Sequence, residues 1–184
     1  MCFRVWLILL ALLPTPRLLA QVDLSDHFVD LLDAAGIGFI EPLEARYKDI
    51  RLSSRQLADY DFAMRSRREK LEIRYRIHPY RAEDPLSEAP HVRAIRLLMH
   101  LATNQQQAVM RGLEVDEEDL QAAFRADWGK VFFFQPKTSF STAAHCKMLA
   151  LHREGQGTAF VFFLFDEAGA ALDHRFFALQ FAEL

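Results

Sequence analysis

Few side chains in this sequence could do chemistry, and they are scattered. His145 and Cys146 are adjacent, and a thiol activated by an imidazole is a nucleophile for hydrolysis or group transfer. Neighbours on a strand point to opposite faces, so these two cannot meet within one strand. No basic cluster surrounds Cys146, so it reads as a small core residue. A hydrolase using Cys146 would need a different histidine brought in by the fold. Seven histidines raise metal binding, yet none shows the His-x-x-x-His or His-Glu-x-x-His spacing, and no Cys-x-x-Cys occurs. They read as surface and strand-end residues. The acids Glu114, Asp116, Glu117, Glu118 and Asp119 lack the glycine and alternating oxygen ligands of a calcium loop. A helix N-terminus accounts for them. With no Gly-x-Ser-x-Gly, Walker or dinucleotide motif, no cofactor is expected. The chain reads as a binding module rather than an enzyme.

Two clusters bear on binding. Arg65, Arg67, Arg68, Lys70, Arg74 and Arg76 form a local basic run. It is the one interaction patch the sequence offers, for an anionic ligand, a lipid headgroup or a lipopolysaccharide phosphate. The competing reading is a solvated hairpin whose arginines pair with Asp59, Asp61, Glu69 and Glu72. The phenylalanines of 132–134, 160–165 and 176–177 either line a pocket for an apolar or lipidic ligand or are simply core.

The elements that position these residues follow from periodicity. Residues 23–35 carry Phe28, Leu31 and Leu32 at helical spacing, with Gly36 as the stop. Residues 37–42 read as a short strand, and 45–52 as extended. Tyr60, Phe62 and Met64 alternate with charged residues, as do Leu71, Ile73, Tyr75 and Ile77 across the polar turn 66–70. This predicts a β-hairpin with one apolar and one charged face. Pairing Phe62 with Ile73 would set Asp61 against Arg74 and Asp59 against Arg76, each pair contributing roughly 0.2–1 kcal/mol. Residues 92–102 have helical spacing, extended or restarted through 105–111. A further helix starts at Asp116, with Leu120, Ala123, Phe124 and Trp128 on its apolar side and Gly129 as its stop. Residues 130–134, 144–153, 158–165 and 175–181 read as strands, and three joined by short turns make an antiparallel meander. Thr158–Phe165 does not alternate, so it should be central and covered on both faces.

The chain has 184 residues, 51% hydrophobic and 12% aromatic, with a net charge of −3. That excludes a disordered chain and argues against nucleic acid as a partner. Residues 1–20 have the layout of a secretory signal peptide: Arg4, an apolar run from Val5 to Leu13, prolines 14 and 16, and Ala20 for cleavage. The run is too short to span a bilayer, which takes roughly 20 apolar residues. Cys2 precedes that run, and Gln21 stands where a lipobox cysteine would. Cleavage removes Arg4 and Arg17 and no acid, making the mature chain more acidic. It leaves Cys146 alone, so no intrachain disulfide is expected.

The strings GIGFIEP, YDFAM, KLEIRYRIHP, AAFRADWG, CKMLALHREGQGTAFVFFLFD and FFALQF resemble a family of uncharacterised exported proteins of Gram-negative bacteria. The marks are Glu72-Ile73-Arg74-Tyr75, Pro79, and Phe124 through Gly129. The order of elements is also similar to PsbP-like folds. That second resemblance implies an antiparallel sheet with helices on both faces, and an assembly or binding role. The expectation is a single α+β domain over 21–184, mainly an antiparallel sheet of about five to seven strands with a C-terminal β-meander. It would be periplasmic or secreted, and act on a protein or cell-envelope component.

Overall fold

The computed structural model describes residues 22–42, 45–53, 56–105, 108–167 and 171–183. The expected signal peptide lies outside the described residues. Helix α1 (Asp26–Ala34) starts where Ser25 accepts the Phe28 N–H at 3.3 Å, the usual satisfaction of an orphan first-turn donor. It buries Phe28 and Leu32. The strands are β1 (Ile37–Phe39), β2 (Lys48–Asp49), β3 (Phe62–Ser66), β4 (Leu71–Pro79), β5 (Arg111–Glu114), β6 (Trp128–Phe134), β7 (His145–Arg153), β8 (Gly157–Phe165) and β9 (Leu179–Phe181). Helix α2 spans Pro90–Leu101, α3 is Glu117–Asp119, and α4 is Ala171–His174.

The fold is α+β. Seven strands form one antiparallel sheet in the order β2-β3-β4-β8-β7-β6-β5, and β1 pairs with β9 in a separate two-stranded sheet. An antiparallel meander is present as β6-β7-β8, whereas of the expected C-terminal run 144–153, 158–165 and 175–181 only the first two strands pair. The non-alternating strand is β8, in the middle of the seven, with buried residues along both faces. One face carries Phe62, Met64, Ile73, Tyr75 and Phe163 under α1, β1 and β9. The other carries Ala63, Cys146, Met148, Phe160 and Phe162 under α2 and Phe140.

Five expectations are corrected. In the hairpin, Phe62 faces Tyr75, and Met64 faces Ile73. The expected register is thus off by two residues, a slip that leaves every side chain on its own face. Residues 67–70 all belong to the turn, which Ser66 Oγ closes by accepting the Glu69 N–H at 3.3 Å. Asp61 therefore meets Arg76 at 3.2 Å, and Asp59 lies 3.1 Å from His100. The charged face is covered too: Asp61, Glu72 and Arg74 are buried. Arg111, read as the end of a helix, begins β5, which pairs with β6 at the far edge of the sheet. The helix from Asp116 converts into a π-turn (Leu120–Phe124) and stops at Arg125, in the left-handed region at φ 52°. The Ala126 N–H then caps the Leu120 carbonyl at 2.9 Å. Trp128 consequently opens β6, on the face opposite Phe124. Finally, β9 is shorter than the expected strand 175–181 and leaves the main sheet to join β1.

Candidate functional site

Strand register builds a basic groove at the β2 edge. Lys48 lies opposite Arg65, and Arg65 opposite Glu72, so one cross-strand row sets the three on one face. The turn that follows β3 adds Arg67, Arg68 and Lys70, and the loop before β2 adds Arg46. A groove of about 540 Å³ is lined by Arg46, Lys48, Arg65, Arg67 and Arg68, with Asp49 its one acid among the described residues. A second groove of about 400 Å³ shares Arg65 and Arg67 and adds Lys70, Glu72, Ser141, Thr142 and Asp166. The two arginines are the wall between them.

The hairpin tip is braced from below. Tyr47 Oη donates to Glu69 Oε2 at 2.6 Å, and Arg175 reaches both Glu69 oxygens at 2.7 and 3.1 Å. Burial, followed by that hydrogen bond, pushes the Tyr47 hydroxyl well above the ordinary tyrosine range, so it stays a donor. On the sheet, Glu72 takes Arg65 with one oxygen and Arg74 with the other. Arg46, Lys48, Arg67 and Lys70 are exposed.

Of the six residues read as a patch, the structure gathers Arg65, Arg67, Arg68 and Lys70 along the two grooves. Arg74 is elsewhere: its guanidinium lies 4.4 Å from the Tyr60 ring centre and 4.6 Å from that of Phe140. It also donates to the Phe140 carbonyl at 2.5 Å. Arg76 is paired with Asp61, four register positions from Arg74's partner Glu72. Sequence reasoning missed Arg46 and Lys48. The only signal was the mixed extended segment 45–52 directly before the hairpin, because register, not proximity in sequence, joins Lys48 to Arg65.

The other candidates are placed as follows. Cys146 is 1% exposed within the α2-side core, and burial pushes its thiol far up, holding it protonated. His145 is exposed and rests near the Phe165 ring. Among the described residues, no group of three or more His, Cys, Asp or Glu could hold a metal ion. Nor, among them, is any helix long and apolar enough to cross a membrane. The rings of Phe132, Phe134, Phe160, Phe162 and Phe163 are packed into the two cores.

One convergence has no counterpart in the sequence reading. A cleft of about 350 Å³ draws Tyr80, Ser87, Glu88, Asp127, His152 and Glu154 together from four segments. His152 contacts Thr158 Oγ1 at 3.1 Å, and Ser87 Oγ accepts the Arg81 N–H at 3.1 Å. The imidazole Nδ1 is therefore taken up by Thr158, while Ser87 Oγ holds the Arg81 N–H and keeps its own proton to donate. Burial lowers the His152 pKa despite the nearby Asp127, so the ring is neutral at pH 7.

No family model matches the chain, and no curated protein or solved structure shows significant similarity to it.

Proposed function

We propose that this chain is an exported binding module that docks an anionic group of a protein or cell-envelope component in the β2-edge groove. One observation carries the reading: among the described residues, five cationic side chains line that groove against one acid, on a chain whose net charge is −3. Like charges gathered on a low-dielectric wall raise the local concentration of an anionic partner and its association rate. Arginine forks suit carboxylate and phosphate oxygens. Export is supported by the layout of residues 1–20 and by the resemblance to exported Gram-negative proteins. Among the described residues the cysteine is free and buried, so their core is held without a disulfide.

The test is binding of fluorescent polyglutamate and of inorganic polyphosphate, followed by anisotropy across a salt series. Binding should weaken steadily with salt. Lys48→Glu combined with Arg67→Glu should abolish it. Both residues are exposed, so melting should barely change. Binding that ignores these charge reversals would sink the reading.

A further inference from the structure

The two grooves differ in a way that defines one ligand. Among the described residues, five cations and one acid line the β2-edge groove; with Arg65 paired to Glu72, exposed Arg46, Lys48 and Arg67 still bring more positive charge than one carboxylate would neutralise. A phosphate carries between one and two charges and three acceptor oxygens, and it matches arginine forks. The groove across the Arg65–Arg67 wall is close to balanced: Arg65, Arg67 and Lys70 face Glu72 and Asp166. It offers neutral hydrogen-bonding groups instead. Thr142 is exposed, and Ser141 Oγ accepts the Ala143 N–H at 3.1 Å, which leaves its own proton to donate. Asp166 Oδ1 accepts the Ala144 N–H at 2.9 Å, leaving Oδ2 to accept another bond. Half-buried Phe165 and buried Leu164 give the groove an apolar side. Hydroxyl donors, a carboxylate acceptor and an apolar wall suit a ring that carries hydroxyls on its edge and C–H groups on its face.

We propose that the grooves together bind a phosphorylated saccharide or polyol, its phosphate in the β2-edge groove and its ring in the groove of Thr142 and Asp166. This rests on the anion-docking reading and adds the ligand class to it. The ligand is either a soluble phosphosaccharide or a lipid headgroup of the same chemistry.

Isothermal titration of the purified chain with inorganic phosphate, glucose and glucose 6-phosphate tests it. Glucose 6-phosphate should bind at least tenfold tighter than phosphate, with glucose alone too weak to measure. Thr142→Val should remove most of that gain and leave phosphate affinity unchanged. Lys48→Ala should weaken phosphate and glucose 6-phosphate alike by at least fivefold. Unchanged melting curves check the fold of each variant. Equal affinity for phosphate and glucose 6-phosphate, with both still dependent on Lys48, overturns the ring subsite and leaves anion docking intact. Binding that is absent, or indifferent to Lys48→Ala, overturns both. A vesicle arm identifies the source. Thr142-dependent sedimentation with phosphatidylinositol over phosphatidic acid, both in phosphatidylcholine, supports a lipid headgroup. The glucose 6-phosphate gain without that preference supports a soluble ligand. Equal retention on both anionic vesicles with no titration gain overturns the proposal.

Discussion

Glu72 Oε1 lies 2.6 Å from the Arg74 guanidinium, and each side chain is only 8% exposed. The second oxygen of Glu72 reaches out to Arg65, which is 61% exposed. A single carboxylate thus links the buried arginine between two aromatic rings to the arginine that walls the grooves. Removing Glu72 strands Arg74 as an uncompensated buried charge, whereas removing Arg74 leaves Glu72 with Arg65. Glu72→Leu should cost about 3–5 kcal/mol, and Arg74→Met less. The double variant Glu72→Leu with Arg74→Met should recover much of that loss. Urea denaturation of the four proteins as a double-mutant cycle measures it, and additive losses would contradict the linkage.

Gly157 occupies a conformation no other residue can take over. Its φ is 135°, and an added Cβ would stand 2.3 Å from the His78 carbonyl oxygen and 2.9 Å from the Tyr80 nitrogen, both backbone atoms. Gly157→Ala should cost about 3 kcal/mol or more, read as a fall in urea midpoint. Gly155, also at positive φ but with open space around it, should lose only about 1 kcal/mol on replacement by Ala.

Acid should destabilise the fold through two desolvated histidines, half-buried His78 and buried His152. Burial, then the positive charges of Arg93 and Arg76, lowers the His78 pKa to about 3. In the unfolded chain it returns to its ordinary 6.5. The sign follows: the unfolded state binds the proton first, so stability is full above pH 6.5 and is lost as pH falls toward 3. The slope is about 1.4 kcal/mol per pH unit within that window. His152 shifts the same way. Urea midpoints at pH 7.5 and 5 should separate clearly for the natural chain and less for His78→Gln. Equal separations would refute the assignment.

Cys146 should react only when the fold opens. Its thiol is buried in the α2-side core and held protonated. A disulfide reagent such as dithionitrobenzoate should label it at the rate of unfolding, and rapidly in 6 M guanidinium. Fast stoichiometric labelling under native conditions would show an open path to the sulfur.

How much of this was readable from sequence depends on the range of the interaction that fixes each residue. Two-residue alternation placed Phe62, Met64, Ile73 and Tyr75 on one face, and the unbroken apolar run made β8 central. Both are properties of a strand taken alone. The alternation also put Arg74 beside Arg65, which is correct for the face and misleading for the surroundings. Whether a charged face meets water depends on α2 and Phe140, which arrive from distant sequence. Lys48 joined the groove through pairing across β2 and β3, where no local pattern marks it. β5 was missed because its four residues are exposed and carry no alternation. The π-turn ending at Arg125 sent Trp128 to the opposite face, so the half-buried Trp128 should lose less on replacement by Ala than the 3–5 kcal/mol of a core tryptophan.

The place of β8 in the sheet has a kinetic consequence. Ile73 pairs with Phe163, ninety positions later in the chain. Until residues 157–165 are available, β2-β3-β4 and β5-β6-β7 can form only as two separate three-stranded halves, and the inner strand of each ends in unsatisfied backbone groups. β8 then zips both together, bonding to β4 on one side and β7 on the other. Closing so long a loop is slow, and the waiting halves present bare edges open to wrong pairing. The last third of the chain therefore sets the tempo of folding, and a chain that stops before residue 157 has two incomplete sheets and no common core.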